Sequence, residues 1–208
     1  MVTVSAPESW FSMPVLTGRH IRLEPLALEH ATGYFLAAGE AAVADEVFRW
    51  LNPGPPATVE HAVEHITRAL YARAQGLRLP YAQIDVASGL FAGTTSLYEI
   101  NPPLRTVAIG HTWLGRPWWR TAANTEAKLM LLRYAFDDLG AVRVVWHTDI
   151  YNERSQEAIA RLGATREGVL RKHRPRRDGS WRDTVQFCMT DDDWPAARAR
   201  LQNRIDPG

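Results

Sequence analysis

Residues 116–128, RPWWRTAANTEAK, join a β-like run, VAIGHTWLG, to a long apolar stretch, KLMLLRYAFDDLG. A chain that passes from strand through a short small-residue loop into a helix presents the helix's first N–H groups to an anion such as phosphate. Those groups carry about half a positive charge. Here they belong to Arg120, Thr121, Ala122, Ala123, Asn124 and Thr125. Ala122 and Ala123 are small enough for a bulky anion to approach, and Arg120 adds a charge-assisted contact. No glycine lies between Arg116 and Lys128, and an ordinary joint capped by Asn124 or Thr125 uses the same residues. Both readings stay open on this stretch alone.

Other reactive side chains group less tightly. His61 and His65 stand four apart on a helical run, as two metal ligands would, but Glu60 and Glu64 beside them mark a solvated face and no third ligand is evident. Cys188, in VQFCMT, is an acyl-carrying nucleophile or a packed strand residue. Residues 166–182 carry Arg166, Arg171, Lys172, Arg174, Arg176, Arg177 and Arg182. They read as a solvated hairpin, an anchor for an acidic substrate or a contact for a cofactor phosphate. The aromatic interleaving of a nucleic-acid surface is missing.

The elements that must position these residues follow from periodicity and punctuation. Strands are expected at 19–26, 80–88, 90–99, 106–115, 142–150, 164–174 and 181–190. Helices are expected at 27–39, near 43–51, and at 59–76, 124–140, 153–163 and 193–204. The run NPGPPAT (52–58) is a loop, with Thr58 as N-cap of the helix that follows. Helix 124–140 confines Glu126, Arg133 and Asp137 to one narrow stripe and is otherwise almost wholly apolar, with Lys128 and Asp138 as exceptions. Such a helix is wedged between a sheet and other elements. Its N-terminus is therefore rigid. An antiparallel meander followed by strand–helix–strand units makes a mixed sheet of the α/β class, α+β in type.

The 208 residues are 46% hydrophobic and 23% charged, enough for one sizeable core. A net charge of +1 excludes a global argument for nucleic acid or an anionic membrane. One cysteine forms no internal disulfide, and there is no signal-like or membrane-length apolar run. The expectation is a cytoplasmic protein with an N-terminal extension at 1–15, pinned by Trp10 and Phe11, a single domain at 16–205, and a short frayed tail.

The segment VRVVWHTDIYNERSQEAIARLGATREGVLR opens a further helix at Asn152 and Ser155. Together with IRLEPL, TWLG, RTAANTEAKLMLL, AFDDLGAVRV, TDIYNERSQEAIARLGA, EGVLRKH and RDTVQF, it resembles the GNAT (Gcn5-related) N-acetyltransferase superfamily. The likeness is to the ribosomal-protein (RimJ/RimL-like) branch and runs from about residue 16 to 195.

This resemblance implies a mostly antiparallel sheet, flanked by helices and splayed between strands 106–115 and 142–150, with acetyl-CoA in the gap and no metal. The family's pyrophosphate fingerprint, Gln/Arg-x-x-Gly-x-Gly/Ala, laid from Trp119, puts Ala122 and Asn124 at its small-residue positions. Backbone groups of Trp113 and Leu114 would pair with the pantetheine amides. Asn152 would bond the pantetheine arm and Ser155 would sit near the thioester sulfur, although both also suit the first turn of a helix. The partner is an amine, either a protein N-terminus or a small molecule, and a homodimer is compatible.

Amide formation needs a neutral amine and a donor for the oxyanion. The glutamate proposed as base in RimL-like proteins is replaced by Arg174. His111 becomes the candidate, with an ordinary pKa near 6.5 and with alternation placing it beside Val107, Ile109 and Trp113; Glu99 and Asp149 are in reserve. Two other readings remain open: an acyl-CoA-binding regulatory protein without turnover, and a transferase of a larger acyl group such as succinyl.

Overall fold

The computed structural model describes residues 8–205. Eight strands form one sheet in the order β1-β2-β3-β4-β5-β6-β8-β7. They are β1 Leu16–Thr17, β2 Ile21–Pro25, β3 Arg78–Asp85, β4 Phe91–Asn101, β5 Thr106–Leu114, β6 Arg143–Asp149, β7 Thr165–Pro175 and β8 Trp181–Thr190. The helices are α1 Ala31–Ala38, α2 Ala41–Phe48, α3 Val59–Ala74, α4 Ala123–Arg133, α5 Glu153–Leu162 and α6 Trp194–Ile205. Thr58 caps α3, accepting from the His61 N–H as expected. The described part of the expected extension begins in the core, with Trp10 buried, whereas Phe11 stays exposed. The rest of that extension, and the end of the expected tail, lie outside the described residues.

Two apolar clusters sandwich the sheet. On one face α4 and α6 pack Ala127, Leu131, Leu132 and Leu201 against Ile21, Leu23, Leu97, Val107, Ile109 and Val144. On the other, α1–α3 cover Ala82, Ile84, Phe91 and Trp113. The apolar run expected to form one helix over 124–140 starts at Ala123 and changes to a π-helical turn at Tyr134–Asp138.

The one parallel pair decides the architecture. β5 and β6 pair only at Thr106, Val107 and Ala108 with Arg143, Val144 and Val145, so the later residues of both strands diverge. On its other side β5 keeps pairing with β4, but the register slips between Thr94 and Ser96. The extra residue is a bulge at His111, whose φ of +49° lies in the left-handed region. The bulge resets the alternation. Val107 and Ile109 face α4, while Trp113 turns to the opposite cluster. The expectation that His111 shares a face with Val107, Ile109 and Trp113 is therefore corrected.

Glu126 locks α4 onto the start of the sheet. Its buried carboxylate accepts the backbone N–H groups of Arg19, His20 and Ile21, each at 2.7 Å. An alanine there leaves those donors without their acceptor, at about 1–3 kcal/mol for each one kept from water. Glu126→Ala is expected to lower the unfolding free energy by about 3 kcal/mol or more; equilibrium denaturant titration reads the loss.

Candidate active site

Where β5 leaves β6 an open groove of about 1480 Å³ runs across the molecule, larger than a usual single-ligand pocket of about 300–1,000 Å³. It has room for two reactants. Its walls include His111, Trp113, Leu114, Trp119, Arg120, Thr121, Asn124, Thr125, Asn152 and Ser155. These residues of the expected acyl-CoA site thus line one groove, whereas His61, His65 and Cys188 lie outside it. Ala122 and Ala123 sit just behind the wall, with Ala123 packed into the core.

The strand–helix loop turns differently from expectation. Neither Asn124 nor Thr125 is the cap; both lie in the first turn of α4, whose N-cap position is Ala122. Thr121 Oγ1 takes the Ala123 N–H at 3.2 Å, and the N–H groups of Asn124 and Thr125 have no acceptor inside the helix. Ala122 is right-handed, with φ of −66°, and Asn124 is helical, so neither position needs glycine. The left-handed residue is Arg120, with φ of +60°. The backbone conformation that suits glycine therefore falls at Arg120, two residues before the position laid at Ala122.

Trp119 braces the loop. Its indole N–H donates to the Leu114 carbonyl at 2.7 Å. From α5, across the gap, the Arg154 guanidinium lies 3.8 Å from its ring centroid, and Arg116 lies 4.7 Å away while pairing with Glu46 of α2. On the β5 edge, the Trp113 carbonyl points back into the sheet. It accepts from Gln83 Nε2 at 3.2 Å, and a Cβ on Gly93 would stand 2.0 Å from it. Since peptide groups alternate sides along a strand, those facing the gap are Thr112 and Leu114 rather than Trp113. At the start of α5, Asn152 Oδ1 accepts the Ser155 N–H at 3.1 Å.

A family model described as an acetyltransferase (GNAT) domain matches residues 20–165, well over half of the 208-residue chain. The chain belongs to the GNAT acetyltransferase family. Among solved structures it is similar to a GCN5-related N-acetyltransferase from Brucella melitensis: 33% identity, TM-score 0.89, covering 98% of this chain and 88% of that one. Its fold is similar to that of Mycobacterium smegmatis RimJ in complex with CoA-disulfide, at 21% identity and TM-score 0.75, over 94% of this chain and 96% of that one. It is also similar to [ribosomal protein uS5]-alanine N-acetyltransferase of Escherichia coli, 31% identical over 85 residues, which are 41% of this chain and 43% of the relative. GNAT acetyltransferases use acetyl-CoA as acyl donor.

The residues weighed as a GNAT general base change standing. His111 is exposed along the groove, its ring edge-on to Tyr98 at 5.1 Å. The protein packed around the ring, then Arg78 and Arg174, push its pKa down from the ordinary value, and the groove's water screens that shift. Asp149 is buried and held by Arg176 at 2.7 and 3.1 Å. Burial acts to raise its pKa, but Arg176 and the Tyr151 N–H outweigh that and hold it low. Glu99 pairs with Arg174 at 3.0 Å. A carboxylate thus stands beside Arg174, supplied from β4.

Cys188 lies away from the groove, buried on β8, and accepts from Arg143 at 2.9 Å; burial pushes its thiol up to about 11. His65 is used by Tyr34, whose hydroxyl is 3.4 Å from its Nδ1. Among the described residues no group of three or more His, Cys, Asp or Glu is placed to hold a metal ion, and no helix is long and apolar enough to cross a membrane.

Lys128 is the residue that sequence reasoning passed over. It stood out only as a charge on an apolar helix. It is buried and donates to Thr95 Oγ1 at 2.8 Å and Thr112 Oγ1 at 2.6 Å, tying α4 to both strands at the bulge. Its pKa is pushed down to about 7 by burial. Between that value and the ordinary lysine pKa of about 10.4, the unfolded chain holds a proton that the native protein does not. Stability therefore rises with pH across that window. Lys128→Met is expected to raise the melting temperature most at and below pH 7, with the gain shrinking as pH approaches 10. Melting curves over that pH range check the sign.

Proposed function

We propose that the chain is an acetyl-CoA-dependent N-acetyltransferase that passes an acetyl group directly to a primary amine, a protein N-terminus or a small molecule, in a ternary complex. Residues 16–205 form its single catalytic domain, working in the cytoplasm. The observation that carries this reading is the parting of β5 from β6 after Ala108, beside the unsatisfied first turn of α4. A thioester arm fits the open strand edge, and a pyrophosphate fits the helix N-terminus.

Bound there, the thioester supplies the acyl group. Backbone N–H groups of Asn124 and Thr125 hold phosphate oxygens, and Arg120, Arg116 and Arg154 add positive charge at the same lip. The charge offsets the lack of a glycine loop. Thr112 and Leu114, in place of the expected Trp113 and Leu114, offer the peptide groups that align the arm and the N–H that meets the oxyanion. Asn152, its Oδ1 used as cap, would hold the arm through its amide N–H₂, and Ser155 would supply a hydroxyl for the thioester end.

A histidine whose pKa is pushed down by its neighbours is a weaker base for an ammonium group than an ordinary imidazole. A protein α-amine has a pKa of about 7.7–8.0, so part of it is already neutral at pH 7. The catalyst therefore works by positioning, with neutral His111 as a hydrogen-bonding group for the entering amine. Arg120 takes the left-handed turn without a glycine, and membership of an acetyltransferase family favours turnover over a binding protein that has lost it.

Thiol release from acetyl-CoA against a panel of amines and N-terminal peptides tests this function; no turnover with any acceptor sinks it. Acetyl-CoA is expected to raise the melting temperature by mass action, and Ala122→Leu to abolish that rise by filling the approach to the first turn of α4. An unchanged rise in that variant moves the phosphate site elsewhere.

The second test concerns proton transfer. His111→Gln is expected to keep the shape of the pH–rate profile between pH 6 and 9, with a rate loss of about tenfold or less. Loss of an acidic limb in that variant, with a rate loss of about 10²–10⁴, restores His111 as base.

A further inference from the structure

The arginines of the β7–β8 hairpin are unequally matched. Arg174, Arg176 and Arg182 all line the groove. Arg174 pairs with Glu99 at 3.0 Å, which brings the hairpin over β4. Arg176 holds Asp149 through Nε and one terminal nitrogen, at 2.7 and 3.1 Å. Arg182 has no such partner. Its Nε donates to the neutral Thr184 hydroxyl at 2.8 Å, and among the described residues no carboxylate lies within ion-pair distance of its guanidinium. It also stands directly opposite Arg174 in the β7–β8 ladder, an arrangement of like charges that destabilises a sheet unless something neutralises it.

The surroundings make the site specific. Arg182 is half-buried, so its charge acts in a partly dehydrated wall where a hydrogen-bonded ion counts for more than at an exposed surface. A polar floor leads from it to the bulge in β5. His173 lies 5.5 Å from His147 between ring centroids, the Tyr98 hydroxyl is 3.0 Å from His147 Nδ1, and Tyr98 meets His111 edge-on at 5.1 Å. This floor belongs to the open side of the sheet, beyond the cover of α1–α3 and away from the phosphate lip at α4. At this end the groove gathers Arg174, Arg176, Arg177 and Arg182 against the carboxylates of Glu99, Asp149 and Asp178, which leaves one positive charge in excess.

We propose that Arg182 is a carboxylate-binding subsite for a reactant in the groove, so that the reaction joins an amine and an acyl group of which one carries a free carboxylate. This rests on the acetyltransferase reading above and narrows its substrate class. The planar guanidinium accepts a carboxylate by two parallel N–H···O bonds, which fixes that reactant's direction as well as its distance. Two sources have this chemistry: an amino acid or acidic peptide as acceptor, and a dicarboxylic acyl group as donor. Thr184 steers the guanidinium through its Nε, leaving both terminal nitrogens for the ligand.

The test is steady-state kinetics on the full chain with matched pairs. With acetyl-CoA, peptides bearing Asp or Glu near the N-terminus are compared with their Asn and Gln isosteres. With one neutral amine, succinyl-CoA is compared with acetyl-CoA. In one of the two arms the parent protein is expected to favour the carboxylate-bearing reactant by about 10–100-fold in kcat/KM, and that arm identifies the source. Arg182→Gln is expected to bring the ratio near unity and Arg182→Lys to keep part of it, both with the acetyl-CoA melting shift retained. Parent ratios near one in both arms, or an Arg182→Gln ratio equal to the parent's, overturn the subsite. Turnover of a neutral amine in the same assay shows that the transferase reading stands even then.

Discussion

The structure depends on a parting of strands. β5 and β6 are parallel neighbours for three residue pairs and then diverge. A strand that loses its neighbour exposes a row of peptide groups, which a protein normally covers or blunts. Here the exposed edge runs along the floor of the groove. The left-handed bulge at His111 lies on that stretch and adds bend and twist to β5. It also reverses which face the following side chains address. Trp113 can then anchor the α1–α3 cluster while Thr112 turns toward α4.

Two charged residues on α4 hold that geometry in different ways. Glu126 gathers three backbone donors and fixes the helix to the start of the sheet. Lys128 crosses to the bulge and finds only hydroxyls. The first arrangement satisfies a buried anion with a full set of N–H donors. The second leaves a buried cation without a counter-charge, which lowers its pKa and weakens the native state while it is protonated. A helix tied to the sheet at both points cannot drift, so its first turn keeps a constant position relative to the strand edge.

The groove divides into two electrostatic regions. At the start of α4 and α5, Arg116, Arg120 and Arg154 gather around Trp119 with the helix N-terminus behind them. Under the β7–β8 hairpin, arginines alternate with Glu99 and Asp149, leaving Arg182 over. The hairpin cluster that looked in sequence like one basic patch is therefore split. Arg166, Arg171 and Lys172 do not reach the groove, whereas Arg174, Arg176, Arg177 and Arg182 do. Glu99 on β4 and Asp149 on β6 pair directly with Arg174 and Arg176, whereas Asp149 acts on Arg182 only from a distance.

Local sequence determined a good deal. Element types and order, the apolar wrap of α4 and the caps at Thr58 and Asn152 all follow from short-range periodicity and side-chain hydrogen bonding, which neighbours along the chain decide. The strand–loop–helix at 106–140 and the helix opening at Asn152 were legible as one site only through the resemblance to the GNAT family, since nothing local says that the two meet. The bulge was not, since an extra residue in one strand shows only against the register of its partner. Arg120 as the left-handed residue, the inward-turned Trp113 carbonyl and the depressed pKa values of His111 and Lys128 were hidden for the same reason. Each depends on distance and dehydration between residues remote in sequence, and those were decided by the tertiary structure alone.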